Sequence, residues 1–356
     1  MIKINILYNI INNPTGGGNQ FLRNLKKALV DKNCYTEPEN ADVIIFNSHH
    51  HIKEVIKLKK KYPNKIFIHR IDGPMKRVTA NNNDKRDDIA YIANKYLADA
   101  TIFQSQYSME ANIQQKIPRN RTETIIMNST DSAIFNCPPN KVINKNEKIR
   151  LVATSWSNNM NKGFGIYDYL DKNLNFDKYE MSFVGNSPIE FKNIKSVPPL
   201  NTENLAQFLK TQDIYITACK DEPCSNALIE ALMCGLPALC LNSGSNPEIL
   251  GKGGLLFDKP EQISTLLEEI TNNYQKYQSQ INCQTMDETT SQYIALAKKL
   301  VDDYKSNDYK VKQINFCQEY VIHLVIWYER LYAKYLLNIK NKFKKLLGIC
   351  KKREIA

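Results

Sequence analysis

The chain has 356 residues, 42% of them hydrophobic and 24% charged, enough for two domains and too apolar for wholesale disorder or a collagen-like chain. No apolar run approaches the roughly 20 residues of a membrane-spanning helix. The net charge of +11 is lopsided: the last 27 residues hold nine Lys/Arg and one acid, or +8, which leaves +3 for the other 329 and no need for a polyanionic partner of the body.

The opening MIKINILYNI is broken by Lys3, Asn5 and Asn9 and reads as a strand over 3–8, not as a signal peptide. A glycine cluster, Gly16 to Gly18, leads into a helix with Phe21, Leu22, Leu25, Ala28 and Leu29 on one face. Strands are predicted at 42–46, 65–71, 100–103 and 124–127, with helices at 52–62, 89–97 and 108–116 between them. Residues 137–148, polar and aperiodic, read as a linker. The alternation then restarts, with strands at 150–154, 181–184, 213–217 and 238–241 and helices at 166–170, 202–210, 226–234 and 260–273. Continuous apolar strands alternating with helices predict parallel sheets covered on both faces. The expected architecture is α/β: two doubly wound Rossmann-like domains, 1–137 and 149–310, joined by a linker at 138–148 and facing across a cleft, plus a helical, basic C-terminal segment over 311–356. In that segment Phe316, Tyr320, Leu324, Trp327, Tyr328, Leu331, Tyr335 and Leu337 recur near helical spacing. Nine scattered cysteines without a CxxC pair fit reduced thiols in a cytosolic compartment.

The sharpest chemical pattern is CKDEPCSNALIEALMCGLP at 219–237. A strand runs into a loop carrying Glu222, Pro223 delays the helix, Ser225 or Asn226 caps it, and Glu230 follows about one turn in. The helix N-terminus, at Ser225, Asn226 and Ala227, offers amides and a positive dipole end to a phosphate, and the two carboxylates offer acceptors to hydroxyls. Two acids near a helix start also stabilise its dipole with no ligand at all, and the pattern alone leaves both readings open.

Glu-x7-Glu followed by ALMCGLPAL resembles the signature of retaining GT-B glycosyltransferases of the large family 4 group, glycosyl transferases group 1. Gly16 to Gly18, IIMNSTDSAIF (125–135), ATSWSNNMNKGF (153–164), FVGNSP (183–188) and GSNPEIL…GGLLF (244–257) resemble further pieces of that family in its order, over roughly residues 1–305. The resemblance implies a metal-independent, retaining transfer of a sugar from a nucleotide-diphosphate sugar to an acceptor hydroxyl on a glycan, a lipid or a protein, in polysaccharide biosynthesis by family habit. It implies that Glu222 contacts the donor sugar, Glu230 the ribose diol, and Lys162 the departing diphosphate. Gly17, Gly18, Gly185, Asn186 and Ser155 would lie along the donor, with the base near residues 185–188 and Leu200. The N-terminal domain would hold the acceptor through HRIDGPMKR (69–77): His69 is the match for a donor-contacting histidine, and Asp72 would orient an acceptor hydroxyl. The family's arginine before the lysine is absent, Ser155, Trp156 and Ser157 standing in that stretch, and either Arg70 or Arg77 on the acceptor side substitutes for it or the hydroxyls of that stretch suffice. The family's Asn-Gly is here Asn128-Ser129. No Asp-x-Asp motif occurs, and the adjacent His49, His50 and His51 place no ligand set, so no metal or other cofactor is expected. The segment from Ile339 to Arg353 interleaves lysines with Ile, Phe and Leu, which suits an anionic membrane surface or a solvated basic helix end; nucleic acid is not expected. The expected location is cytoplasmic, either free or peripheral on a membrane. A nucleotide-sugar epimerase or phosphorylase on this architecture and a non-catalytic sugar-binding or membrane-adaptor protein are the competing readings.

Overall fold

The structure is a computed structural model and describes residues 2–10, 17–139 and 141–336. Gly16 and the basic segment from Ile339 to Arg353 lie outside the described residues. The N-terminal lobe alternates β1 (Ile4–Leu7), α1 (Gly17–Asp31), β2 (Val43–Asn47), α2 (Ile52–Lys61), β3 (Ile66–Ile71), α3 (Met75–Val78), α4 (Arg86–Tyr96), β4 (Ala100–Phe103), α5 (Gln106–Gln114) and β5 (Thr122–Ile125). Its strands form a five-stranded parallel sheet in the order β1-β2-β3-β4-β5. On the far side of β1, Ile4 donates to the Cys34 carbonyl and accepts from the Thr36 amide, a single parallel bridge at Tyr35. The chain therefore leaves β1 one way through α1 and the other way through α2 and α4, so helices cover both faces. Phe21, Leu22 and Leu25 of α1 pack on Ile4, Val43 and Ile66. Val55 and Ile56 of α2 and Ala93 of α4 pack on Ile44, Phe46 and Phe67.

The second lobe comprises β6 (Ile149–Ser155), α6 (Phe164–Asn173), β7 (Tyr179–Gly185), β8 (Lys195–Val197), α7 (Thr202–Lys210), β9 (Ile214–Thr217), α8 (Asn226–Met233), β10 (Ala238–Leu241), α9 (Asn246–Leu250), β11 (Gly254–Phe257), α10 (Ile263–Asn272) and α11 (Tyr274–Ser279). Its six-stranded sheet runs β11-β10-β9-β6-β7-β8, so the order reverses between β6 and β9. Both strands turn their carboxyl ends toward the other lobe. In open α/β sheets such a reversal leaves a crevice for ligands, because adjoining crossovers depart to opposite faces. The doubly wound architecture expected from the sequence is the one observed. The strand expected at 124–127 lies two residues earlier, and β8, α9, β11 and α11 are short elements the periodicity did not reveal.

The chain then returns to the first lobe. In α12 (Met286–Lys305), Met286, Tyr293, Ala297 and Leu300 join the core under α1, although the sequence placed this stretch in the second domain. Asp99, fully buried, fastens the returning chain: it accepts from Lys59 Nζ at 3.1 Å, from the Tyr309 hydroxyl at 2.8 Å and from the Lys312 amide at 2.8 Å. In α13 (Phe316–Leu331), Ile322 and Ile326 pack on the α2/α4 side. Among the described residues no helix is long and apolar enough to cross a membrane.

Candidate active site

Two loops build the C-terminal wall of the cleft. Past β6, Asn159 caps a single 3-10 turn, Met160–Lys162, and Gly163 reverses the chain into α6. Gly163 has φ +91°, and an added Cβ would lie 2.3 Å from Ala218 Cβ, so a side chain is excluded on both counts. The close approach sets Lys162 beside the loop that follows β9. There Glu222 is held by its backbone: its carbonyl accepts from the Ser245 amide at 2.9 Å, and Gly244, with φ +63°, lies so near that a Cβ would be 2.6 Å from the Glu222 nitrogen. Lys162 Nζ and Glu222 Oε2 form a direct ion pair, with both side chains only partly exposed. Burial alone would lower the lysine's pKa, but the facing carboxylate more than offsets it and the net shift is upward, so Lys162 is a fixed cation.

Helix α8 begins between these groups and the other lobe. Ser225 is the N-cap, its hydroxyl accepting from the Leu228 amide at 3.3 Å, and Ser225, Asn226 and Ala227 line the cleft. Glu230, one turn on, also lines it and is nearly fully buried. Burial pushes its pKa up to about 8, so near neutral pH this carboxyl largely keeps its proton. Val184, Pro199, Leu200 and Leu205 give the same end of the cleft an apolar wall, and Gly185 (φ +128°) is pressed against the Ser155 carbonyl, where a Cβ would lie 1.9 Å away. The cleft offers about 350 Å³, and Lys162 is the single lysine or arginine among the described residues lining it.

The N-terminal wall contributes Gly17, Gly18, Asp72, Gln104 and Asn128. Gly17 and Gly18 belong to the first turn of α1 and not to a loop. Gly17 makes room for a neighbouring side chain: Asn226 Nδ2 donates to its carbonyl at 2.6 Å, and a Cβ would meet that nitrogen at 2.7 Å. Asn128 Nδ2 in turn donates to Asn226 Oδ1 at 2.8 Å. Asp72, just past β3, accepts from Ser48 Oγ at 2.9 Å, Asn47 Nδ2 at 3.3 Å, Arg70 Nη1 at 3.2 Å and also Gln104. Burial opposes its charge, but Arg70 and these donors hold the carboxyl below the usual carboxylate range.

Four expected site residues are placed elsewhere. His69 is fully buried, stacked on Phe46 at 4.2 Å, with Nε2 2.8 Å from the Ser48 carbonyl and Nδ1 3.1 Å from Asn94 Oδ1. Burial lowers its pKa to about 4, so it is a neutral core histidine that steadies the Ser48 turn and is not among the cleft-lining residues. Arg70 is also fully buried, donating to Asn47 Oδ1 and Asn128 Oδ1 at 2.6 Å each and lying over the Phe21 ring; it braces Asp72 from behind. Arg77 turns outward to Gln114 at 2.7 Å. Neither arginine lines the cleft as a substitute for the missing family arginine. The Asn186 side chain donates to the Trp156 carbonyl at 2.7 Å and is not among the cleft-lining residues. His49, His50 and His51 pack against one another and Tyr8 near Asp72, and among the described residues no group of three or more His, Cys, Asp or Glu is arranged to hold a metal ion. Replacing His69 by glutamine is expected to cost about 1–3 kcal/mol of stability, as for a disturbed buried hydrogen-bond pair. Nucleotide affinity should be unchanged, which a melting curve and a titration on the same preparation check.

No local pattern announces the bonds that tie the lobes. Tyr107 donates its hydroxyl to Asp221 at 2.6 Å, Ser105 Oγ donates to the Pro223 carbonyl at 2.6 Å, and Asn161 Nδ2 donates to the Arg77 carbonyl at 3.0 Å. Glu248, in the second lobe, accepts from the Gln106 and Tyr107 amides at 2.9 and 2.7 Å and so caps α5 in the first.

Two parallel α/β lobes with a cleft at their carboxyl edges define the GT-B glycosyltransferase fold. Sucrose-phosphate synthase from Thermosynechococcus elongatus has a similar structure (TM-score 0.62, 13% identity, covering 86% of this chain and 99% of that one). So has HepE from Anabaena in complex with UDP-glucose (TM-score 0.61, 13% identity, 86% and 100%). α,α-Trehalose 6-phosphate synthase from Burkholderia multivorans is a more distant match (TM-score 0.57, 9% identity, 83% and 78%). At such identities the likeness establishes the fold. Residues 191–285, which include Glu222, α8 and Glu230, match the model of the family described as Glycosyl transferases group 1. No curated protein sequence matches the chain.

Proposed function

We propose that the protein is a retaining glycosyltransferase that moves a sugar from a nucleotide-diphosphate sugar to an acceptor hydroxyl without a metal ion. The observation that carries this reading is the Lys162–Glu222 pair at the N-terminus of α8, with Glu230 one turn further along the same cleft. A diphosphate at that helix start would meet backbone amides, the positive dipole end and Lys162. Glu222 is then released to accept from sugar hydroxyls, and Glu230 is positioned for the two ribose hydroxyls, with the base against Val184, Leu200 and Leu205. The first donors to test are UDP-sugars, because the HepE structure contains UDP-glucose.

In the reaction the bond from the anomeric carbon to the β-phosphate oxygen breaks, and a bond from that carbon to the acceptor oxygen forms on the same face. The acceptor proton passes to the departing phosphate oxygen. Positive charge grows on the sugar while negative charge grows on the phosphate, and a preset cation with aligned amides stabilises the latter. Asp72, kept ionised by Arg70 on the opposite wall, is suited to orient the acceptor hydroxyl. The acceptor is a glycan or a lipid- or protein-linked saccharide.

The deciding experiment incubates the protein with a panel of nucleotide sugars and simple glycosides in the presence of EDTA. A new glycosidic bond of unchanged anomeric configuration, absent with Glu222→Gln, is the expected product. A chain that binds nucleotide sugars yet neither transfers nor hydrolyses any of them would be a binding protein instead.

A further inference from the structure

Helix α13 is apolar on two sides. Ile322 and Ile326 face the N-terminal lobe, and both acids of the helix turn the same way, Glu319 to Lys60 at 2.9 Å and Glu329 toward Arg86. The opposite side faces solvent. Phe316, Tyr320, Leu324 and Trp327, spaced four, four and three residues apart, share one stripe, and three of them are largely open: Phe316 80%, Tyr320 61% and Trp327 58% exposed. Val321 and Tyr328 widen the stripe, and Tyr335 follows it. A helix that is apolar all round is normally covered on both sides, and a contiguous exposed patch of this kind marks a surface of interaction.

Charge selects the partner. The stripe carries no acid, and the sequence that follows it, residues 337–356, holds seven Lys/Arg and one acid. A second copy of the chain would carry the same positive excess and offers these segments no charge of opposite sign. An anionic lipid surface attracts them, and Trp and Tyr rings suit the depth of the headgroups. We propose that the Phe316–Tyr320–Leu324–Trp327 stripe is the face on which this protein lies against an anionic bilayer. The docked helix would hold the N-terminal lobe at the lipid, the lobe to which the acceptor is assigned. That consequence rests on the glycosyl-transfer reading, whereas the docking does not.

The test floats the full chain with phosphatidylglycerol–phosphatidylcholine vesicles and with phosphatidylcholine alone. Binding to the former is expected, and in a Trp156→Phe background brominated lipid should quench Trp327. The combined Phe316→Ser, Leu324→Ser and Trp327→Ser variant should partition at least about tenfold less, as expected for loss of interfacial apolar area. Its melting temperature and nucleoside-diphosphate affinity should be unchanged, so a failure of docking is read separately from a failure of transfer. Equal flotation of the variant would assign binding to the basic segment alone and overturn the proposal. So would absence of flotation at low salt, or a dimer in sedimentation that the variant abolishes.

Discussion

Replacing Lys162 by alanine is expected to lower kcat by about 10²–10³, or roughly 3–4 kcal/mol of transition-state stabilisation, with a much smaller change in KM. The asymmetry follows from where the charge sits. Before donor binding the ammonium is already paired with Glu222, so part of its attraction for a ground-state diphosphate is spent in breaking that pair. The full attraction is realised only as the phosphate gains charge in leaving. No other lysine or arginine among the described residues lines the cleft, so the loss has no local substitute. The partner variant gives an opposite signature. Glu222→Gln removes the group that holds the lysine's pKa up and frees the ammonium for phosphate. Nucleoside diphosphate without sugar should then bind several-fold more tightly, while transfer of a whole donor falls. Isothermal titration alongside steady-state kinetics measures both, and weaker diphosphate binding by Glu222→Gln would remove Lys162 from the phosphate site.

Substituting glutamine for Glu230 should change stability and donor binding in opposite directions. The pKa of this carboxyl is raised by burial to about 8 from an ordinary value of 4.5. Between those two values the unfolded chain has released the proton and the folded protein retains it. Stability therefore falls as pH rises through this window and levels off above about 8. A shift of this size amounts to on the order of 5 kcal/mol at its upper bound, since site relaxation reduces it. Glu230→Gln removes the group, so the variant should match the wild type near pH 5 and melt at a distinctly higher temperature near pH 9. Donor affinity moves the other way. An ionised carboxylate accepts from two ribose hydroxyls, a protonated one less well, and an amide offers a single oxygen. Wild-type affinity should rise with pH toward about 8 as binding expels the proton. The variant should bind about 10–100-fold more weakly, the loss of one or two charge-assisted bonds, with no pH slope. Calorimetry in buffers of differing ionisation heat detects the released proton, and an identical pH slope in both proteins would place the titration on another residue.

Both arguments concern residues whose placement was legible in the sequence. Glu222, Glu230 and the cap at Ser225 follow from local chemistry, a strand, a proline-delayed loop and a helix start, whereas Lys162 is expected only through the family resemblance and meets Glu222 because Gly163 lets its loop press against Ala218. His69 and Arg70 were misleading for an equally physical reason. In a sheet covered on both faces, consecutive strand residues point into opposite cores, His69 toward Phe46 and Asn94, Arg70 toward Phe21. Only a residue beyond the strand's last pair, here Asp72, reaches the edge where ligands lie. The apolar stripe of 286–305 holds no information on which lobe it packs against, because such a stripe does not name its partner. Asn128, Asn226 and Gly17 meet from three distant parts of the chain, a juxtaposition that only the fold creates.

The carboxylate of Glu248 has a mechanical consequence. It satisfies two first-turn amides of α5 from the opposite lobe, so swinging the lobes apart leaves the helix with its own cap, Ser105, and those two amides without a protein acceptor. Satisfying first-turn amides in this way contributes about 0.5–2 kcal/mol. Gape is thereby coupled to the loss of these two charge-assisted bonds, and the jaw behaves as a spring catch whose hold weakens with salt. On the glycosyl-transfer reading, spent nucleotide would escape fastest under the conditions that loosen that catch.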